Sequence, residues 1–282
     1  MAEAGFNSTS PYLSDILSIV DKPTNLTPEC LSGAETAELV AEIYDIAGRR
    51  MGPILMEANI LLTLSGARGQ TEASIISPIA EDWEAVTKVN EKLQPKGVSI
   101  TARAELSKTV HEKDVLTFDV ESLLGYAHVS HLAKAAGIPG VEPFDASKGW
   151  EGLVEWKQDT WNAIETALKT GQIPYPPDQL PHIFYGIIKG YPKRAIFDIC
   201  DWLLTEGRYR YAVTDIPYVA LYGGAQPNFG YHSDHAHDAS IRNTVAQWGN
   251  ILKEFYAHPW HQKISQDAQF IHTRGAREHR EI

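Results

Sequence analysis

Apolar residues return at the three-to-four spacing of an α-helix along most of this chain, and alternate as in a strand over only a few short stretches. Ser32 and Glu35 form a capping box: the hydroxyl is placed to accept a backbone amide three residues on, and the glutamate to reach back. Val40, Ile43, Tyr44 and Ala47 follow at helical spacing. A second helix is predicted over 74–93, with Ile75, Ile76, Ile79, Trp83, Val86, Asn90 and Leu93 on one face. Then the pattern changes. Residues 98–102 and 115–118 alternate and are β-branched, which predicts two strands. Asp119 is the expected N-cap of a helix carrying Leu123, Leu124, Ala127, His128, His131, Leu132 and Ala135, stopped at Gly137.

Further helices are predicted from Trp150 to Leu168, from Leu180 to Lys189, from Pro192 to about Leu204 and from Asp238 to about Tyr256. The prolines of 173–178 make that segment a rigid connector. Residues 209–222 read as extended. The expected fold class is therefore mainly α, a compact helical protein with a small β element. Residues 1–10 read as a flexible tail and 11–282 as a single globular unit, with a candidate internal boundary in the Gly- and Pro-rich stretch 137–149.

Composition narrows the functions that such a fold can carry. At 282 residues the chain buries a large core without staples, and 43% hydrophobic with 22% charged residues is ordinary for a globular protein. A net charge of -11 argues against nucleic acid or an anionic membrane as the partner, since both demand basic surfaces. The longest apolar run, 54–64, is too short to span a bilayer. Two cysteines, Cys30 and Cys200, make no disulfide framework, and no basic stretch leading into an apolar one opens the sequence. These features predict a soluble, cytoplasmic protein; a homo-oligomer is compatible with all of them.

The candidate chemistry is concentrated near the last helix. His232, Asp234, His235, His237 and Asp238 fall within seven consecutive positions. Imidazole is the commonest metal ligand and titrates near neutrality. Asp238 is placed to cap the helix that follows, which leaves Asp234 as the freer carboxylate. His128 and His131 are three apart on one helix and could reach a single ion. Glu57, inside an apolar run, must face solvent at a kink after Pro53 or meet a partner inside.

Known templates do not fit. No Glu-x-x-His and no His-Glu-x-x-His occurs. His232 and Asp234 with distal His272 and Arg280 superficially resemble the facial triad of iron/2-oxoglutarate oxygenases, but that family has a β-barrel core and here a strong helix pattern fills the interval.

The sequence thus predicts a metal- or haem-dependent enzyme, with iron or zinc or haem as cofactor, acting on a small aromatic or apolar molecule. His232, Asp234, His235 and His237 are the expected metal ligands, with His128, His131 and Glu57 a second source. His235 and His237 are the expected catalytic pair. Tyr185, Tyr191, Tyr222 and Tyr231 are expected to line the substrate pocket. Two alternatives stand beside this: acid–base catalysis by His235 or His237 without metal, and a non-catalytic helical scaffold with solvated surface histidines.

Overall fold

The helical periodicity seen along the chain becomes a mainly α fold with a minor antiparallel sheet. The structure, a computed structural model, describes residues 28–76, 78–106, 114–205, 211–213, 229–262 and 264. Helix α1 (Gly33–Leu55) starts at the capping box: Glu35 N donates to Ser32 Oγ at 3.2 Å and Ser32 N to the Glu35 carboxylate at 2.7 Å. A short helix α2 (Ala58–Leu64) follows, then strand β1 (Gln70–Ile76) and helix α3 (Ala80–Leu93).

Strands β2 (Val98–Leu106) and β3 (Asp114–Ser122) complete a three-stranded antiparallel sheet with β3 at its centre. Phe118 faces Ala73 on one side and Ala102 on the other. Both strands expected near residues 98 and 115 are present, and longer than the sequence pattern marked them.

Two boundaries differ from expectation. Residues 74–76 belong to β1, not to a helix, and α3 begins only at Ala80. Thr71, Ala73 and Ile75 are buried while Glu72 and Ser74 are exposed, so a period of two was present and pairing with β3 uses it. The helix starts past Pro78, where the Asp82 carboxylate accepts the Ile79 amide at 2.8 Å. Asp119 caps nothing: it sits inside β3 opposite Glu72 and Thr101. The cap of α4 (Leu123–Ala135) is Ser122, whose hydroxyl accepts Gly125 N at 3.1 Å.

Helices α5 (Gly149–Lys169), α6 (Leu180–Ile188) and α7 (Lys193–Leu204) come next. Pro192 is the N-cap of α7. A two-stranded ribbon, β4 (Tyr211–Val213) with β5 (Gly230–His232), leads to α8 (Ala239–Ala257).

Two apolar clusters fill the interior. One joins α1, α2, α3, the three-stranded sheet and α8, around Ile43, Leu61, Phe118, Trp248 and Phe255. The other joins α4 to α7 around Tyr126, Ile164, Ile183 and Cys200, with Tyr191 packed against both. The stretch 137–149 runs between α4 and α5, two members of the second cluster.

The approach of α4 to the loop after α2 is very close. A Cβ on Gly125 would lie 2.0 Å from the carbonyl oxygen of Arg68. Gly190, at φ +71°, turns α6 into α7 with the same economy: a Cβ there would lie 2.7 Å from the Ala67 carbonyl oxygen. The loop that carries Arg68 is therefore gripped by backbone on two sides.

Candidate functional site

Helix α7 presents one carboxylate on its buried face, which is otherwise apolar. Asp198 stands among buried Ala195, Ile196 and Cys200, and is itself only 4% exposed. A buried carboxylate needs donors, and it has them from two elements. His232 N donates to Oδ2 at 2.9 Å, which ties the end of β5 to α7. His235 Nδ1 lies 2.9 Å from Oδ2, and Arg194 Nε lies 3.1 Å from Oδ1, one turn back on the same helix.

The tautomer of His235 is set by competition among these neighbours. A carboxylate has only acceptors and a guanidinium only donors. Nδ1 meets both an acceptor, Asp198, and a donor, Arg194 Nε at 2.9 Å, while Nε2 faces Arg194 Nη2 at 2.5 Å; the Asp198 contact favours a proton on Nδ1 and the Arg194 contacts a lone pair on either nitrogen. The His232 ring stands 5.2 Å from the His235 ring, centroid to centroid. His232 Nδ1 accepts the Asp234 amide at 3.2 Å and lies 3.7 Å from the Asp234 carboxylate.

Asp238 caps α8, accepting Ser240 N at 2.8 Å. Hydrogen bonds from Ser240 hold its carboxyl below the usual carboxylate range, with Arg194 adding its charge. The His/Asp loop is thus pinned between the N-termini of α7 and α8.

Of the loop residues expected as ligands, His232 and His235 are brought together over Asp198, while Asp234 and His237 are exposed. The other expected group lies elsewhere. His128 is buried in α4, its Nδ1 2.8 Å from the Pro28 carbonyl and its Nε2 3.2 Å from the Gln247 amide nitrogen. Both ring nitrogens are engaged, so it is a neutral, satisfied core histidine as placed. His131 is half-buried one turn on.

Glu57 precedes α2, half-buried, with burial pushing its carboxyl up. Asn59 accepts a hydrogen bond from Arg68 Nη1. Among the described residues no group of three or more His, Cys, Asp or Glu side chains is arranged to hold a metal ion.

Of the aromatic residues, Tyr185 is 50% exposed, Tyr231 packs against Phe229, and Tyr222 lies outside the described residues, as do His272 and Arg280. Tyr191 lines a cavity. This cavity, about 220 Å³, lies between α4, the α6–α7 turn and α8, with Val129, Leu132 and Ile187 on one side and Ser240, Asn243, Thr244 and Gln247 on the other. Lys193 stands at its edge, next in sequence to Arg194. Burial pushes both thiols, Cys30 and Cys200, up to about 12, so neither is a ready nucleophile.

Sequence reasoning passed over Asp198, Arg194 and Arg68. For Asp198 the signal was present, a carboxylate set in the apolar run 195–200. No helix among the described residues is long and apolar enough to cross a membrane.

The buried histidine has a consequence for stability. Burial lowers the His128 pKa from its ordinary 6.5, and the unfolded chain therefore binds that proton more readily than the native one. Its contribution is present above the unfolded value and is lost as pH falls from there through the lower folded value. We expect the melting temperature to fall between about pH 7 and pH 5, and to fall less in a His128→Gln variant. His261, lowered by burial as well, contributes in the same direction. Melting curves across this range check both statements.

Comparison with protein-family models, with curated proteins and with solved structures found no match.

Proposed function

We propose that the protein is an enzyme for a small molecule, with His235 as its general acid–base group, Asp198 as the residue that positions it, and the cavity beside Lys193 as the place where the apolar part of the substrate sits. The observation that carries this is the buried Asp198 carboxylate 2.9 Å from His235 Nδ1. A carboxylate so held fixes the ring orientation and leaves Nε2 as the working nitrogen. Arg194 covers Nε2 here, but its side chain is 41% exposed on a flexible stem. It yields Nε2 to a substrate and meets a substrate oxygen with its own donors. The cavity rim adjoins this cluster in sequence at Lys193 and at Ser240.

The histidine-rich loop also invites metal chemistry, and one experiment separates the two. The protein and its His235→Ala and Asp198→Asn variants are incubated with a panel of small carbonyl compounds, esters and acids, and products are followed by mass spectrometry beside elemental analysis and an absorption spectrum. Metal-free turnover that drops by roughly 100-fold or more in His235→Ala supports the acid–base reading. Near-stoichiometric metal or haem that disappears in His235→Ala replaces it with a metal or haem enzyme. Turnover that is unchanged in His235→Ala overturns it.

A further inference from the structure

Arg68 is the most anomalous charge among the described residues. It lies in the loop between α2 and β1 and is 3% exposed. A buried arginine is ordinarily met by a carboxylate, because an uncompensated buried charge is costly. Here the polar groups against the guanidinium are an amide and a phenol: Asn59 Oδ1 accepts from Nη1, and Tyr191 lends a hydrogen bond and a partial electrostatic offset. No ion pair to Arg68 is formed among the described residues. Its Cζ lies over the rings of Tyr191 and Trp248, at 5.7 and 5.3 Å from their centroids. Nε is buried with no hydrogen-bond partner at all.

Rings and Asn59 therefore hold the guanidinium in place but leave the edge that bears Nε unused. That edge, Nε with an adjacent Nη, is the fork that meets a carboxylate with two parallel hydrogen bonds. The backbone around it is tight, since Gly125 and Gly190 both abut this loop. Tyr191 both lines the cavity and stands against Arg68, which is not itself in the cavity wall, and Gly190, also in that wall, is where a Cβ would come within 3.6 Å of Trp248.

We propose that Arg68 is the anchor for the carboxylate of a small apolar acid. Its apolar body occupies the cavity against Val129, Leu132 and Ile187, and Tyr191 gives way to let the carboxylate reach the Nε edge. This assignment rests on the cavity of the proposed function, and does not depend on His235 being catalytic. It also explains why a charge that meets no carboxylate among the described residues is kept in the core: the ligand supplies the anion.

The test is thermal unfolding of the full chain with sodium acetate, butyrate, benzoate and 3-phenylpropionate, each beside its neutral amide and beside sodium chloride at equal ionic strength. The expected result is a rise of at least about 2 °C with benzoate or 3-phenylpropionate, and no rise with the amides. In Arg68→Met the rise disappears while the ligand-free variant melts at or above the parent, because removing an unpaired buried charge relieves the native state. Arg68→Lys, which keeps the charge and loses the fork, loses the rise too.

Arg68→Met melting below the parent overturns the proposal, since Arg68 would then be a paired structural residue. Acids that do no better than their amides overturn it as well. Inorganic phosphate stabilising as strongly as the acids overturns the carboxylate assignment in favour of a phosphate site. His235→Ala is run alongside: an intact acid response there, with turnover lost, keeps this site separate from the catalytic reading.

Discussion

Trp248→Ala is expected to cost about 4 kcal/mol of stability, on the order of 10 °C in melting temperature. Trp248 is fully buried on α8, and three features of the fold meet on it. Phe229 packs edge-on at 5.7 Å, Tyr191 lies at 6.4 Å, and the Arg68 guanidinium sits over the indole at 5.3 Å. A buried tryptophan removes roughly 200 Å² from water, worth about 5 kcal/mol at 25 cal/mol per Å². Alanine retains a small part of that, while the void it leaves adds a cavity penalty that rigid neighbours cannot collapse.

Here collapse is hindered in particular. Gly190 is held against the Ala67 backbone, and Phe229 packs edge-on from the residue before β5. Loss of the indole also removes one of the two rings over Arg68, so the variant should lose the acid response at Arg68 as well. Val154→Ala, at a side chain 69% exposed on α5, serves as control and should change stability by less than about 0.5 kcal/mol. Chemical denaturation of both variants measures the difference; a loss under about 2 kcal/mol for Trp248→Ala would show that this junction repacks freely.

Asp198→Ala is expected to release the His/Asp loop. The carboxylate meets His232 N, His235 Nδ1 and Arg194 Nε, so three contacts are lost at once. The backbone amide is the costly one, at about 1–3 kcal/mol when left unpaired; His235 and Arg194, partly exposed, recover part of their loss from water. The total is about 2–3 kcal/mol.

Asp198→Asn separates anchoring from chemistry. Its amide oxygen still accepts from His232 N, so most of the stability returns. Yet the side chain now offers an N–H as well, and the bias that keeps the proton on His235 Nδ1 weakens. Long-range nitrogen–proton NMR of the imidazole reads this directly. We expect His235 as the Nδ1–H tautomer in the parent and a mixture, or the Nε2–H form, in both variants. Turnover lost in Asp198→Asn with stability kept makes Asp198 a positioning residue for His235. Turnover unaffected, with the loop loosened only in Asp198→Ala, reduces the cluster to a latch between β5 and α7.

Most of the helices were legible because each carries its own punctuation. Ser32 with Glu35 starts α1, Asp238 caps α8, and Gly190 turns α6 into α7. These are local interactions over three or four residues, and local interactions are written in order along the chain. The errors fell where a longer-range partner decided. Residues 74–76 show both a helical and an alternating pattern, and only the presence of β3 alongside selects the strand. Asp119 is a sound N-cap by composition but is consumed by pairing on both edges of β3.

The candidate site divides in the same way. The sequence by itself marked the loop from His232 to Asp238, because histidine density and a cap signal are local properties. It could not rank the histidines within it. The tertiary structure sets His235 against Asp198, which comes from a helix 37 residues earlier. It set His128 apart from that loop, with Pro28 and Gln247, 100 and 119 positions away, holding its two ring nitrogens. Arg68 was invisible in sequence, since nothing local tells a buried arginine from a solvated one. Burial and the local dielectric are properties of the packed interior, set by residues far apart along the chain.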